Sequence, residues 1–336
     1  MTSDGTRDPY AVQTSGLRKS FKLKFQTVEA VGGIDLRVRP GEIYGFLGPN
    51  GAGKTTTLRM LTTLLPIDAG EAFVAGIDVR RQPQEVRRRI GYVGQVGGTD
   101  LPATGRENLV LQGQLYGLTR AQASKRAREL IEILDLSAFA DRIARTYSGG
   151  QRRRLEIALG IMHRPEVLFL DEPTTGLDPQ NRSNLWEQLR ALRANGTTIF
   201  LTTHYLEEAD ALSDRLAIID HGRIVAEGTP QELKRQLVGD SVVIKPKRGS
   251  CPVEDLQRQL AGQPFVKEAH VEGETLRLYV VDGSRVLPLL FDRLRANGVG
   301  LEFIRLSEPS LDDVFLHQTG RSLRDGSRTA TEEVIA

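Results

Sequence analysis

The chain has 336 residues, 39% hydrophobic and 26% charged, with a net charge of +2. That length accommodates one large and one small domain, the composition is ordinary for a soluble folded protein, and the charge is too small to imply nucleic-acid binding. No apolar run is long enough to span a bilayer, the N-terminal Met1-Thr-Ser-Asp-Gly stretch lacks the apolar core of a secretory signal, and the single cysteine, Cys251, excludes an internal disulfide framework.

In chain order, residues 1–14 are expected to form a flexible N-terminus. From about Gly16 to Leu36, apolar and polar residues alternate as in paired strands, Val28–Val31 and Ile34–Val38. Pro40-Gly41 then turns the chain into a short buried strand, Ile43–Leu47. The next residues are Gly48-Pro49-Asn50-Gly51-Ala52-Gly53-Lys54-Thr55-Thr56, which fit the phosphate-binding pattern G-x-x-x-x-G-K-[ST], with a helix following from Lys54 through Leu65. Glycines let such a loop curl so that its N–H groups converge on terminal phosphates. Lys54 adds a positive charge near the β- and γ-phosphates, the Thr55 hydroxyl suits Mg²⁺, and the helix aims its positive end at the same anion.

A hairpin-like piece, Gly70–Gly76, comes next, and Arg87–Val93 passes from a helix end into a strand that delivers Gln95. Residues 105–146, with Leu109, Leu115, Ala127, Leu130, Ile131, Leu134 and Leu136, read as a mostly helical insertion. Tyr147-Ser148-Gly149-Gly150-Gln151 opens a helix from Arg152 to Met162, so a helical subdomain covers about 99–162. Ser148 is suited to cap that helix, and the two glycines leave N–H groups open to an anion. The basic clusters Arg87–Arg89 and Arg152–Arg154 read as solvated helix faces or protein contacts in preference to a DNA-binding patch.

Val167–Leu170 is the continuous apolar run of a parallel strand buried on both faces. Asp171 and Glu172 follow it directly, at the strand's carboxyl end, where α/β folds bind ligands. Asp171 there suits a Mg²⁺ site and Glu172 a general base for water. His204 ends the next apolar strand, which brings it to the same crevice and the γ-phosphate. Helix Pro179–Ala194, strand Thr197–Thr202, helix Leu206–Leu212 and the hairpin Leu216–Asp220 with Ile224–Glu227 complete an α/β domain over 15–238. Beyond it, Val242–Ile244, Glu254–Leu260, Thr275–Val281, Val286–Asn297 and Leu301–Leu306 alternate strand and helix in a small α/β domain, 239–318. The polar stretch 319–336 is expected to be a disordered tail.

Together these motifs resemble the ATP-binding subunit of an ABC transporter over about residues 16–238. Gly48–Thr56 corresponds to the Walker A loop, Gln95 to the Q-loop glutamine and Tyr147–Gln151 to the signature. Val167–Pro173 corresponds to Walker B, Gly176-Leu177-Asp178 to the D-loop and His204 to the switch histidine. Phe21 stands for the aromatic that stacks on adenine, with Phe25 close enough to leave the choice open. Tyr147 replaces the leucine that usually opens the signature, while Ser148-Gly149-Gly150 is intact. The C-terminal domain and the phrase Glu308–Gly320 resemble daunorubicin-resistance-type exporter ATPases of bacteria.

The resemblance implies a P-loop NTPase fold with a helical subdomain and ATP hydrolysis in which Lys54, Gln95, Glu172 and His204 take part. It implies Mg²⁺ held by Thr55, Gln95 and Asp171, and a nucleotide lined by Gly48–Thr56, Tyr147–Gln151 and Asp178. It further implies a head-to-tail homodimer, each ATP lying between one subunit's Gly48–Thr56 and the other's Ser148–Gly150. A separate membrane permease, a peripheral position at the cytoplasmic face and export of drugs, lipids or polysaccharides complete the expectation. The coupling surface should lie near Gln95 and residues 99–146, with Arg87–Arg89 at its rim. Soluble relatives acting on DNA carry a long heptad insertion before the signature, which is missing here, and those acting on ribosomes usually carry two ATPase domains. A non-catalytic regulatory role is opposed by the intact Lys54, Asp171, Glu172 and His204.

Overall fold

The computed structural model describes residues 10–22, 24, 26–236, 240–247, 249–307 and 309–320, in two compact units that divide between Thr229 and Pro230. In the first unit the elements run β1 (Val12–Lys22), β2 (Thr27–Val38), β3 (Ile43–Leu47), α1 (Lys54–Leu61), β4 (Ala69–Val74), β5 (Ile77–Asp78), α2 (Pro83–Arg89) and β6 (Ile90–Val93). They continue with α3 (Gly105–Leu115), α4 (Arg120–Ile133), α5 (Gly149–Gly160), β7 (Val167–Asp171), α6 (Pro179–Ala194), β8 (Thr198–Thr203), α7 (Leu206–Leu212), β9 (Arg215–Asp220) and β10 (Arg223–Gly228).

A six-stranded sheet, ordered β10-β9-β3-β8-β7-β6, is parallel apart from β10. A four-stranded antiparallel sheet, β2-β1-β4-β5, accompanies it. Every residue of β3 and β7 is buried, as central parallel strands require. Strand alternation divides the core in two. Leu168 and Leu170 join the apolar faces of α4, α5 and α6, whereas Val167 and Phe169 join Tyr44, Phe46, Phe200 and α1. Thr104, Thr119 and Ser148 start α3, α4 and α5 with reciprocal capping boxes, which satisfy N–H groups left over at each helix start.

Two expectations for this unit are corrected. The flexible segment does not extend to residue 14: β1 begins at Val12, which pairs with Val38 on one side and Val74 on the other, and Ala11, Val12 and Thr14 are buried. A strand in mid-sheet is held from both edges, a constraint that its short apolar pattern could not announce. Residues 1–9 lie outside the described residues. Val28–Val31 and Ile34–Val38 form one strand, β2, continuous through Gly32 and a Gly33 at φ 95°.

The second unit contains α8 (Pro230–Gln236), β11 (Asp240–Pro246), α9 (Val253–Ala261), β12 (Val266–Glu272), β13 (Thr275–Val280), α10 (Gly283–Ala296), β14 (Leu301–Ser307) and α11 (Leu311–Thr319). Its antiparallel sheet is ordered β12-β13-β11-β14. Leu256 and Leu260 of α9 and Leu290 and Leu294 of α10 cover Val242, Ile244, Leu276 and Leu278 on one face. On the other, Asp313 of α11 pairs with Arg277 at 3.0 Å and accepts from the Tyr279 hydroxyl at 2.7 Å. Because α8 packs on α11, the boundary falls before α8, at 229, instead of after it, at 238. Thr319 still belongs to α11, which Gly320 ends in the left-handed region at φ 74°, and residues 321–336 lie outside the described residues. Among the described residues no helix is long and apolar enough to cross a membrane.

Candidate functional site

Parallel register gathers the site. Leu47 at the end of β3 lies opposite Thr203 of β8, and Asp171 at the end of β7 lies opposite Thr202. The loop after β3, the Asp171-Glu172 pair and His204 therefore emerge at one edge of the sheet. Gly48 donates its N–H to the Thr203 carbonyl at 3.2 Å, and a Cβ on it would strike the Ile219 carbonyl oxygen. Gly53, at φ 104°, caps α1 where a Cβ would strike the Ala30 carbonyl oxygen, so both positions need glycine. Between them, Pro49 and Asn50 lead to an exposed Gly51 and a buried Ala52, whose carbonyl accepts the Gly222 N–H at 2.9 Å.

Lys54 is 4% exposed and folds back across the loop, donating to the Gly48 and Pro49 carbonyls at 2.8 and 3.0 Å. Its ammonium stands 3.4 Å from Glu172 Oε1. Burial lowers its pKa, and the Glu172 and Asp171 carboxylates oppose that shift. Thr55 and Thr56 follow, both half-buried. Asp171 is buried, its Oδ1 accepting from the Thr202 hydroxyl at 2.6 Å and the Thr55 hydroxyl at 3.1 Å. A hydroxyl and a carboxylate already in contact are hard oxygen donors of the kind Mg²⁺ takes alongside phosphate oxygens and water, so these residues fit the ion.

Glu172 has φ 46°, a left-handed backbone that costs a non-glycine residue about 1–3 kcal/mol and persists only where the surroundings impose it. Its N–H donates to both the carbonyl and the hydroxyl of Thr202, at 3.1 Å each. Its Oε2 lies 3.1 Å from His204 Nδ1 and accepts from the Thr175 hydroxyl at 3.3 Å. Burial by itself would raise this carboxyl, but His204 and Lys54 outweigh it and hold the pKa below the ordinary glutamate value. The group is thus kept ionised, the state in which it can orient and deprotonate water.

Gln95 sits exposed on the loop after β6 and lines, with Glu172, Gly149, Arg153 and Gly176, a cavity of about 280 Å³. Ser148 caps α5: its hydroxyl accepts the Gln151 N–H at 3.3 Å while its own N–H donates to Gln151 Oε1 at 3.1 Å. Gly149 faces open space, and Gly150 is closed in by Asn181. The Tyr147 side chain goes elsewhere. It is 6% exposed, donates its hydroxyl to the Phe139 carbonyl at 2.6 Å and meets the Phe139 ring edge-on at 4.9 Å. A nucleotide contact through this side chain is therefore not what the structure offers; the bulky residue completes the helical core. Asp178 is exposed and caps α6 through the Asn181 N–H at 2.9 Å, an interaction that lowers its pKa. Phe21, on β1, is 38% exposed with Lys19 Nζ 5.7 Å from its ring, and Phe25 lies outside the described residues.

One subunit thus brings Lys54, Thr55, Asp171, Glu172 and His204 together, with Gln95 and Gly149 sharing the adjoining cavity. Thr202, which holds both Asp171 and Glu172, was not singled out from the sequence; its only signal was a place at the end of an apolar strand. The Arg87–Arg89 cluster is exposed, its members meeting Glu85, Glu166 and Thr63. Of the two readings offered for Arg152–Arg154, a solvated helix face or a protein contact, the solvated face is not what forms. Arg153 is 7% exposed, and Arg154 donates to the Asp135 carbonyl at 2.9 Å while lying over the Phe139 ring.

Residues 31–175 match the family described as ABC transporter, and residues 228–319 the family described as ATP-binding protein DrrA1-3-like, C-terminal domain. The chain is 47% identical to the daunorubicin resistance ATP-binding protein DrrA2 of Streptomyces coeruleorubidus, covering 93% of this chain and 96% of that protein. It is 45% identical to the daunorubicin/doxorubicin resistance ATP-binding protein DrrA of Streptomyces peucetius, over 98% of this chain and 99% of that one. Nod factor export ATP-binding protein I of Paraburkholderia xenovorans is 41% identical, over 94% and 99% respectively. Among solved structures, the dimeric ATP-binding cassette MJ0796 bound to ADP and Pi is similar with a TM-score of 0.60 at 25% identity, covering 65% of this chain and 98% of that chain. The chain belongs to the ATP-hydrolysing subunits of ABC transporters, in the group that includes the daunorubicin-resistance ATP-binding proteins.

Proposed function

We propose that this ATPase powers export of a drug-like, lipid or polysaccharide substrate through a separate membrane permease, working at the cytoplasmic face of the membrane as a head-to-tail homodimer. The observation that carries the reading is the Glu172 carboxylate, held 3.4 Å from Lys54 Nζ and 3.1 Å from His204 Nδ1 immediately after Asp171. Lys54 and N–H groups of the glycine loop and the start of α1, such as those of Gly51 and Gly53, neutralise the terminal phosphates of ATP. Glu172 takes the proton of a water aligned on the γ-phosphate, and His204 steadies that carboxylate. Thr55 and Asp171, with Gln95, would hold Mg²⁺, whose charge would offset that of the phosphate oxygens.

The loop of one subunit surrounds the phosphates from one side, so the Ser148-capped end of α5 is free to serve the nucleotide of a second copy. ATP then links two positive helix ends, and loss of the γ-phosphate lets the halves part. The names of the resistance and export relatives support the substrate class. Exposed Val96, next to Gln95, and exposed Leu111 and Leu115 on α3, 92%, 49% and 74% accessible, support permease docking by the Gln95 loop and the helical subdomain.

Two variants test the site. Glu172→Gln should keep MgATP binding, slow phosphate release by roughly 100-fold or more, and accumulate as a dimer in size-exclusion chromatography. Lys54→Ala should instead weaken nucleotide binding itself. Wild-type turnover by Glu172→Gln would remove that residue from the role of base.

A further inference from the structure

Arg153 lies one turn into α5, beyond the Ser148 cap, and is 7% exposed. Its guanidinium donates from Nε to the Pro173 carbonyl at 2.8 Å and from Nη2 to the Asp171 carbonyl at 3.1 Å. Its Nη1 donates to the Gly94 carbonyl at 2.7 Å and to Glu156 Oε2 at 3.1 Å. The three carbonyls belong to the segments that present the proposed hydrolytic residues. The Asp171 carbonyl is half of the peptide that joins Asp171 to Glu172, Pro173 comes next, and Gly94 immediately precedes Gln95. Glu156, a turn further along α5, closes the other side of the same loop, since a Cβ on Gly97 would overlap its carboxylate.

A guanidinium is a rigid planar fork, so three carbonyls bound to one fork are fixed relative to one another. Burying a cation for carbonyls that smaller neutral donors could serve is a poor route to stability, which directs attention to geometry. Glu172 supplies the need for it. Its left-handed backbone is gripped by Thr202 at the N–H and by Arg153 at the carbonyl of the same peptide.

We infer that Arg153 is a positioning residue that ties the helix bearing Ser148–Gly150 to the peptides presenting Glu172 and Gln95, so that these three parts shift together. The inference rests on the site roles proposed above. It gives the serine–glycine end of α5 a physical hold, inside its own subunit, on the backbone that carries the hydrolytic carboxylate.

Arg153→Met, which keeps the apolar stem, and Arg153→Lys, which keeps one charge, test it through steady-state phosphate release, MgATP affinity and melting temperature of the full chain. Arg153→Met should lower kcat by about tenfold or more while KM for MgATP moves less than about threefold, with Arg153→Lys recovering part of the loss. Combined with Glu172→Gln, Arg153→Met should bind MgATP normally yet fail to yield the dimer that Glu172→Gln alone yields. If Arg153→Met does not fold, Arg153→Lys decides: a lower kcat at constant KM supports the role, and an unchanged kcat overturns it. Wild-type kcat in folded Arg153→Met, or a rise in KM that accounts for the loss, also overturns it. Should Glu172→Gln itself turn over normally, the site reading fails; an inactive Glu172→Gln beside a fully active Arg153→Met defeats this inference alone.

Discussion

Two buried or half-buried glutamates, Glu172 and Glu208, are held in opposite electrostatic states. Burial would raise Glu172, but His204 and Lys54 outweigh it and draw it below the ordinary value, which suits a base. Glu208, on α7, is fully buried and is pushed upward by that burial, against the pull of Thr203 and Trp186. Its Oε1 accepts from Trp186 Nε1 at 3.3 Å. Between its unfolded and its raised folded pKa, the native state binds more protons than the unfolded chain. Stability from this group therefore falls as pH rises across that window. Glu208→Gln keeps an acceptor for Trp186 and removes the titration, so it should flatten that slope and melt at or above the wild-type temperature at pH 8. Thermal unfolding from pH 5 to pH 8 measures this, and a Glu208→Gln protein that melts well below wild type at pH 8 would contradict it. The carboxylates at the end of β7 were readable as chemistry because they follow an apolar run. Thr202 and Arg153 were not, because their partners lie 31 and 18 residues away in sequence and become neighbours only through strand register and helix packing.

At the scale of elements, the start of α5 joins a cap that sequence reading found to a side chain that it assigned elsewhere. Ser148 caps the helix as its residue type suggests, but Tyr147 turns inward to Phe139 and limits the space at Gly105, where a Cβ would meet the tyrosine hydroxyl. Tyr147→Phe removes this donor from the Phe139 carbonyl, which keeps the Arg142 N–H at 2.9 Å, so the loss should cost about 0.5–1.5 kcal/mol. Because the ring serves the core, kcat for ATP should stay near wild type. A lowered melting temperature with unchanged phosphate release is the expected pair of results, and lost turnover in a stable Tyr147→Phe protein would return the side chain to the nucleotide. Of the helices and strands, those with strong apolar periodicity or a continuous buried run were legible. β12 and α11 were not: β12 is mostly half-buried at a sheet edge, and α11 is buried around most of its surface, so neither shows a clean two-sided pattern.

On the scale of the whole molecule, the second unit has its own sheet, its own apolar core and a pair of helices, α8 and α11, packed together. Leu233 of α8 is fully buried. A chain of residues 230–320 is expected to unfold cooperatively on heating, whereas one beginning at 239 loses α8 and should be less stable by about 2 kcal/mol or more, the usual cost of deleting a buried leucine. Equal stability of the two in denaturant titrations would move the boundary back beyond α8. The sequence by itself determined the chemistry on offer: the glycine-rich loop, the two carboxylates after β7, the histidine after β8 and the order in which they come. Those signals are local, because a turn, a cap or a buried strand writes its requirement into adjacent residues. Tertiary structure alone decided which side chains meet. Parallel register set Asp171 beside Thr202 and Leu47 beside Thr203, and packing of α5 against the sheet put Arg153 behind Glu172, since contacts between distant segments depend on how whole elements stack and leave no mark in neighbouring positions.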